Sequence, residues 1–249
     1  MKIAVIGAGI IGVTTAYELA QDGHEVTVFE RRLAAAEEGS FANAGLVAPA
    51  YTTPWAAPGM PFKIISHLLS SHAPVRIRWP LSRSELGWMW KSWRACQPDT
   101  YAANRQRMQR LATFSRERLH LISTDLQLEF DRSSGHLVLL RSAKDQALMQ
   151  ASLQVLREAE VPFKEISQEE ARKIEPALNP DTPIHSAIHL PQDEVGNCRQ
   201  FALLLKNESQ RLGVNYAFST TVESIDPASG EPASGVDLHL AGGPAPQHF

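Results

Sequence analysis

A chain of 249 residues with a formal net charge of −3 is long enough to bury one large core or two ordinary ones, and it carries no basic excess that would argue for nucleic acid or an anionic membrane surface. Its two cysteines, Cys96 and Cys198, stand far apart in no C-x-x-C arrangement, which excludes a disulfide framework and a metal site of zinc type and fits a reducing compartment. No run reaches the roughly 18 apolar residues of a membrane span, and the apolar stretch 3–11 is broken by glycines and lacks a cleavage pattern, so the chain is expected in the cytoplasm.

The chain opens on a short apolar strand over residues 2–6. The turn Ile6-Gly7-Ala8-Gly9-Ile10-Ile11-Gly12 follows, then a helical stretch to Gly23 and a strand over 25–30 ending in Glu30. A lone G-x-G-x-x-G is weak evidence and otherwise reads as an ordinary strand-turn-helix. Here it leaves a strand, opens a helix and precedes an acid at the end of the next strand, which completes a dinucleotide fingerprint. Gly7 turns the chain out of the strand, Gly9 clears the approach of a pyrophosphate, and Gly12 lets the helix lie close to the sheet. Phosphates then sit on the unpaired N–H groups of the helix N-terminus. Glu30 accepts hydrogen bonds from ribose hydroxyls and repels a 2′-phosphate, which disfavours NADP although Arg31 and Arg32 follow. Arg31 belongs either to a solvated turn or to the adenine face.

Next come Ser40-Phe-Ala-Asn-Ala-Gly45 and a loop over 49–61 rich in turn formers. Pro61 marks the start of one helix, Ser82 with Glu85 forms a capping box for a second, and a long third helix covers about 99–125. Trp88, Trp90 and Trp93 read either as packing between domains or as a surface that meets membrane or quinone. A strand over 135–140, a helix over 143–160 capped by Ser142, a strand over 161–166, a short helix capped by Ser167 and Glu170, and a strand over 184–190 succeed one another. The apolar positions Phe201, Leu204, Leu205 and Leu212 share one face of a helix over 199–212, which Gly213 ends. Strands over 215–218, 220–225 and 236–240 follow. The Gly- and Pro-rich segments 226–235 and 242–249 read as loops, so the chain stops in a loop.

The segments Val5-Ile-Gly-Ala-Gly-Ile-Ile-Gly12, Ser40-Phe-Ala-Asn-Ala-Gly45, Pro54-Trp-Ala-Ala-Pro-Gly59 and Leu190-Pro-Gln-Asp-Glu-Val-Gly-Asn-Cys198 together resemble the FAD-dependent amine and D-amino-acid oxidase/dehydrogenase family. The small subunit of bacterial D-amino-acid dehydrogenase is the nearest branch. The resemblance implies an α/β fold with a Rossmann-type FAD-binding domain (1–60 and 192–249) and a mixed α+β substrate domain (61–191). Both are incomplete, truncated at the C-terminus. It implies that Gly7, Gly9 and Gly12, with Ile6, Ala8, Ile10 and Ile11 of the same turn, hold the FAD pyrophosphate, and that Glu30 and Arg31 hold the adenosine end. Ser40, Asn43, Ala44 and Gly45 then lie along the phosphate and ribityl part, and Val222 meets the adenine. For Ser40 and Asn43 the alternative is a capped turn.

Members of that family oxidise the α-carbon of an amino acid and leave an imino acid that water converts to a 2-oxo acid and ammonia. The dehydrogenase branch implies a D-amino acid substrate and a respiratory acceptor, quinone or dye, with peripheral association at the inner face of the cytoplasmic membrane. No catalytic residue is assigned, because the family's substrate-binding residues lie largely beyond Phe249. None of the nine histidines sits in a motif for base or ligand. The rival readings are an oxygen-using glycine or sarcosine oxidase relative and an inactive truncated remnant that holds FAD poorly. An NAD-dependent dehydrogenase gives the 40–45 motif no role. If the cofactor sheet lacks the strand after 236–240, open sheet edges, aggregation, weak FAD binding and no deaminase turnover are expected for this chain alone.

Overall fold

The computed structural model describes residues 1–62, 64, 80–158, 160–228, 235–243 and 245–249. The chain divides into two compact units, one of Met1–Val47, His120–Ser134 and Glu194–Phe249, the other of Ala48–Leu119 and Gly135–Asp193. The boundaries expected from the sequence are 60/61 and 191/192, with 120–134 in the central domain.

In the first unit a parallel sheet has β2 (Glu25–Phe29) between β1 (Lys2–Ile6) and β7 (Asn215–Ala217). Lys2 stands opposite Glu25 and Ile6 opposite Phe29, while Thr27 meets Asn215. Val26, Val28 and Phe29 are buried, as a central parallel strand covered on both faces requires. Helix α1 (Ile10–Gln21) buries Val13, Ala16 and Tyr17, and α6 (Cys198–Arg211) buries Phe201, Ala202 and Leu205 beside it. Both helices end alike. The N–H groups of Gly23 and His24 donate to Ala20 and Leu19, and those of Gly213 and Val214 donate to Gln210 and Ser209. Each glycine has a positive φ, +81° and +95°, the left-handed conformation on which this helix stop depends. Asn197 begins α6 by accepting the Gln200 N–H at 3.0 Å.

The second sheet of this unit is antiparallel, with β9 (Val236–Leu240) between β8 (Val222–Pro227) and β10 (Gln247–His248). Strand β10 corrects the expectation that the chain stops in a loop. Phe249 exchanges two 2.9 Å backbone hydrogen bonds with Val236 and sets its ring edge-on to Phe29, 5.7 Å between centroids. The Lys2 ammonium lies 4.4 Å from the same ring centroid. An aromatic anchor and a cation over its face thus hold a segment whose composition reads as coil. Strand β3 (Leu46–Val47) pairs with Val195 and Glu194, the last residues of β6 (Ser186–Val195).

In the second unit β5 (Lys164–Ile166) runs antiparallel to β6. Leu140, Leu153, Leu156, Ile188 and Leu190 form one buried cluster, and Ile166, Ala171 and Ala187 form another. Helices α2 (Arg83–Ala95) and α5 (Gln168–Ile174) carry the two predicted capping boxes, Ser82 with Glu85 and Ser167 with Glu170. Helix α3 (Pro98–Asp125) begins at a proline, and α4 (Ala143–Glu158) has the Ser142 hydroxyl accepting from the Asp145 N–H. Residues 60–62 and 64 are helical; the rest of the helix expected from Pro61 lies outside the described residues. Strand β4 (Ser133–Leu140) lies beside β6. Strand β6 is longer than predicted, because it continues through Pro191, which is exposed and lacks only a donor. Trp88, Trp90 and Trp93 are 69, 55 and 54% exposed, and α2 buries no residue.

Candidate functional site: the glycine turn and its cavity

The turn between β1 and α1 is built as its glycines require. Gly7 has φ +92° and donates its N–H to the Phe29 carbonyl at 2.8 Å. A Cβ on Gly12 would overlap the carbonyl oxygen of Gly7, so the helix can lie this close only because Gly12 has no side chain. A Cβ on Gly9 would stand 3.2 Å from the Ser40 hydroxyl. Gly9 is the N-cap of α1 without a capping side chain, and the first turn carries no acid, so nothing anionic competes for the orphan N–H groups.

Two distant residues complete the turn. Glu30, 9% exposed, accepts the Ala8 N–H at 2.7 Å on one carboxylate oxygen and the Arg32 N–H at 2.8 Å on the other. These charge-assisted bonds fix the carboxylate, and each oxygen keeps a further lone pair for a hydroxyl donor. The Ser40 hydroxyl accepts the Ile10 N–H at 2.9 Å and so caps α1 from thirty residues away. Asn43 accepts the Gly45 N–H at 3.1 Å, an Asx turn. Gly45 itself, at φ +63°, accepts the Gly196 N–H at 2.8 Å.

A cavity of about 480 Å³ opens here, the size of a small-molecule site. Of the predicted residues it brings together Ile6, Gly7, Gly9, Glu30, Arg31, Ser40 and Val222. Ala8, Ile10, Ile11 and Gly12 build the turn behind it, and Asn43, Ala44 and Gly45 do not line it. Thr221, in the segment expected to meet the adenine, lines it too, whereas Phe29, Ala36, the segment Glu37-Glu38-Gly39 and Thr220 were not singled out from the sequence. Phe29 adjoins a named residue, but 36–39 gives no local signal of its own.

That segment is ordered by charge. The Glu38 carboxylate accepts from Arg31 Nε and Nη2 at 3.0 and 2.7 Å and from Arg32 Nε at 2.7 Å. Hydrogen bonds from Arg31 and then Arg32 hold its pKa down to about 2. Among the described residues no three or more His, Cys, Asp or Glu side chains gather to hold a metal ion, and no helix is long and apolar enough to cross a membrane. The buried acids outside the cavity have structural neighbours: Asp193 accepts the Ala50 N–H at 3.2 Å, and Glu194 meets His120 at 2.7 Å.

The profile of the family described as FAD dependent oxidoreductase matches residues 2–244. Among solved structures, glycine oxidase from Geobacillus kaustophilus is similar with a TM-score of 0.66 and 19% identity, covering 96% of this chain and 51% of that one. FAD-bound L-alpha-glycerophosphate oxidase from Mycoplasma pneumoniae gives 0.60 and 17%, covering 98% and 50%. L-amino acid deaminase from Proteus myxofaciens gives 0.57 and 17%, covering 95% and 41%. The chain thus spans about half the length or less of these structures.

Proposed function

The chain belongs to the FAD-dependent oxidoreductase family, and from that premise we propose that its cavity holds the adenosine diphosphate half of FAD in an enzyme that oxidatively deaminates amino acids. The observation that carries the reading is the Glu30 carboxylate, fixed beside the N-terminus of α1 at the mouth of the glycine turn. The residues present fit the group. Gly9 leaves room for a pyrophosphate, the N-terminal N–H groups of α1 and the Ser40 hydroxyl receive its oxygens, and Glu30 accepts from the ribose. Val222 with Thr221 borders the adenine end. Bound FAD supplies the hydride-accepting chemistry. The chain's own residues bind and orient it, and Phe29 and Ile6 present apolar surface to the cavity.

For the substrate we propose a D-amino acid, with electrons passed to a respiratory quinone or a dye and the protein held peripherally at the membrane. Support comes from the 40–45 and 54–59 segments that resemble the dehydrogenase branch. The four indoles of Trp55, Trp88, Trp90 and Trp93, all more than half exposed, suit a surface that meets an apolar partner. The solved structures with this fold include proteins named for glycine, L-amino acid and L-proline chemistry, in keeping with an amino-acid substrate. The test supplies a full-length version, extended with the family's C-terminal half, with FAD and with D- or L-alanine, using a dye or oxygen as acceptor. Turnover of D-alanine with dye supports the proposal. Equal turnover of both enantiomers moves the protein to another branch, and peroxide formation with oxygen alone favours the glycine-oxidase-like reading, which the Geobacillus similarity also suits.

A further inference from the structure

We propose that Glu38 is a specificity-determining residue of this site: it withholds Arg31 and Arg32 from the ligand, so the site accepts an adenosine diphosphate with a free 2′-hydroxyl and refuses one bearing a 2′-phosphate. The inference rests on the reading of the cavity as an adenine-nucleotide site. Arg31 and Arg32 directly follow Glu30, the residue that faces the ribose in that reading. A guanidinium at this place is the usual receiver of a 2′-phosphate. Taken from the sequence, two such groups should therefore partly undo the repulsion exerted by Glu30.

The structure removes that contradiction. Arg31 gives Glu38 its Nε–Nη2 edge, and Arg32 gives it the Nε–H alone. The planar fork that would clasp a phosphate in Arg31 is already clasping a carboxylate. The clamp stands at the cavity itself, since Arg31, Glu37 and Glu38 all line it. Its backbone is part of the site as well. The Glu38 carbonyl accepts the Phe41 N–H at 2.9 Å, closing the turn from which Ser40 reaches the Ile10 N–H.

The fold has little need of this cluster. The side chains of Arg31, Arg32 and Glu38 are 60, 54 and 43% exposed, and ion pairs this open add little to stability. Three long side chains held in one geometry, at a place where stability gains little, fit a task at the ligand. The pair also outlasts any working pH, because Glu38 stays ionised down to about pH 2.

The experiment titrates the 249-residue chain by calorimetry with ADP and with its 2′-phosphorylated form, for the wild type, Glu38→Gln, and Glu38→Gln combined with Arg31→Gln and Arg32→Gln. The wild type should prefer ADP by about tenfold or more, Glu38→Gln should erase most of that preference by strengthening the 2′-phosphorylated ligand about tenfold, and the triple variant should restore it. An unchanged preference in Glu38→Gln, with ADP binding intact, overturns the proposal. Failure of the wild type to bind ADP overturns the nucleotide-site reading and this inference with it. Circular dichroism checks folding. Should Glu38→Gln not fold, Glu38→Ala decides by the same titrations: strengthened binding of the 2′-phosphorylated ligand supports the proposal, and an unchanged preference with ADP binding intact contradicts it.

Discussion

A methyl group at Gly12 would occupy the space of the Gly7 carbonyl oxygen, which is backbone and cannot swing aside, whereas one at Gly9 would press only on the Ser40 hydroxyl. The two glycines therefore fail differently. Gly12→Ala is expected to lower the melting temperature of the chain, and Gly9→Val to leave a melting chain that no longer takes up FAD. Thermal melts followed by circular dichroism, with flavin uptake measured alongside, separate the two. Replacing Glu30 by Gln turns one of its acceptor oxygens into a donor facing a backbone N–H of Ala8 or Arg32. The expected cost is about 1–3 kcal/mol in nucleotide affinity, read by titration. Glu38 sets an acid limit. Its folded pKa, about 2, lies below the ordinary carboxylate value of 4.5. Its stabilising effect is therefore present above pH 4.5 and is lost as the pH falls towards 2. The effect is small because the three side chains are about half exposed, and any difference in stability between wild type and Glu38→Gln should shrink across that window and with added salt; a difference that grows as the pH falls would contradict the clamp. Gly7, Gly9, Gly12 and Glu30 were legible because their roles depend on residue type at a fixed spacing. Glu38 was not, because its role arises only when the 36–39 segment folds back on the end of β2.

At the scale of elements, Leu205 of α6 is fully buried in the face that meets α1. Leu205→Ala should destabilise the first unit by about 2–5 kcal/mol in denaturant titrations. A cost below one kcal/mol would place α6 away from the core. Helix starts were readable to within a residue or two wherever a Ser with an acid three positions later marked them, as at Ser82 and Ser167. Strand ends were less so. Strand β5 is shorter than its apolar run and β6 longer, since pairing to a neighbour and not composition decides where a strand stops. Strand β10 was invisible for the same reason. Its pairing with β9 and the Phe249 contact with Phe29 join residues that no local pattern links.

At the scale of the molecule, the parallel pairing of β1 with β2 followed from the first thirty residues. The return of 120–134 to the first unit did not, because such placement depends on contacts across the whole chain. The four described tryptophans, all more than half exposed, predict a red-shifted emission that acrylamide quenches readily. A blue-shifted, protected spectrum would show that another surface covers them in solution. The central claim is that the cavity at the start of α1 is an FAD site, and the most direct measurement is FAD titration of the chain, wild type and Gly9→Val, followed by flavin fluorescence with NADH as competitor. Saturable FAD uptake by the wild type, loss of it in Gly9→Val and no displacement by NADH are the expected results. Equal FAD binding by Gly9→Val, or NADH binding in place of FAD, would contradict the claim.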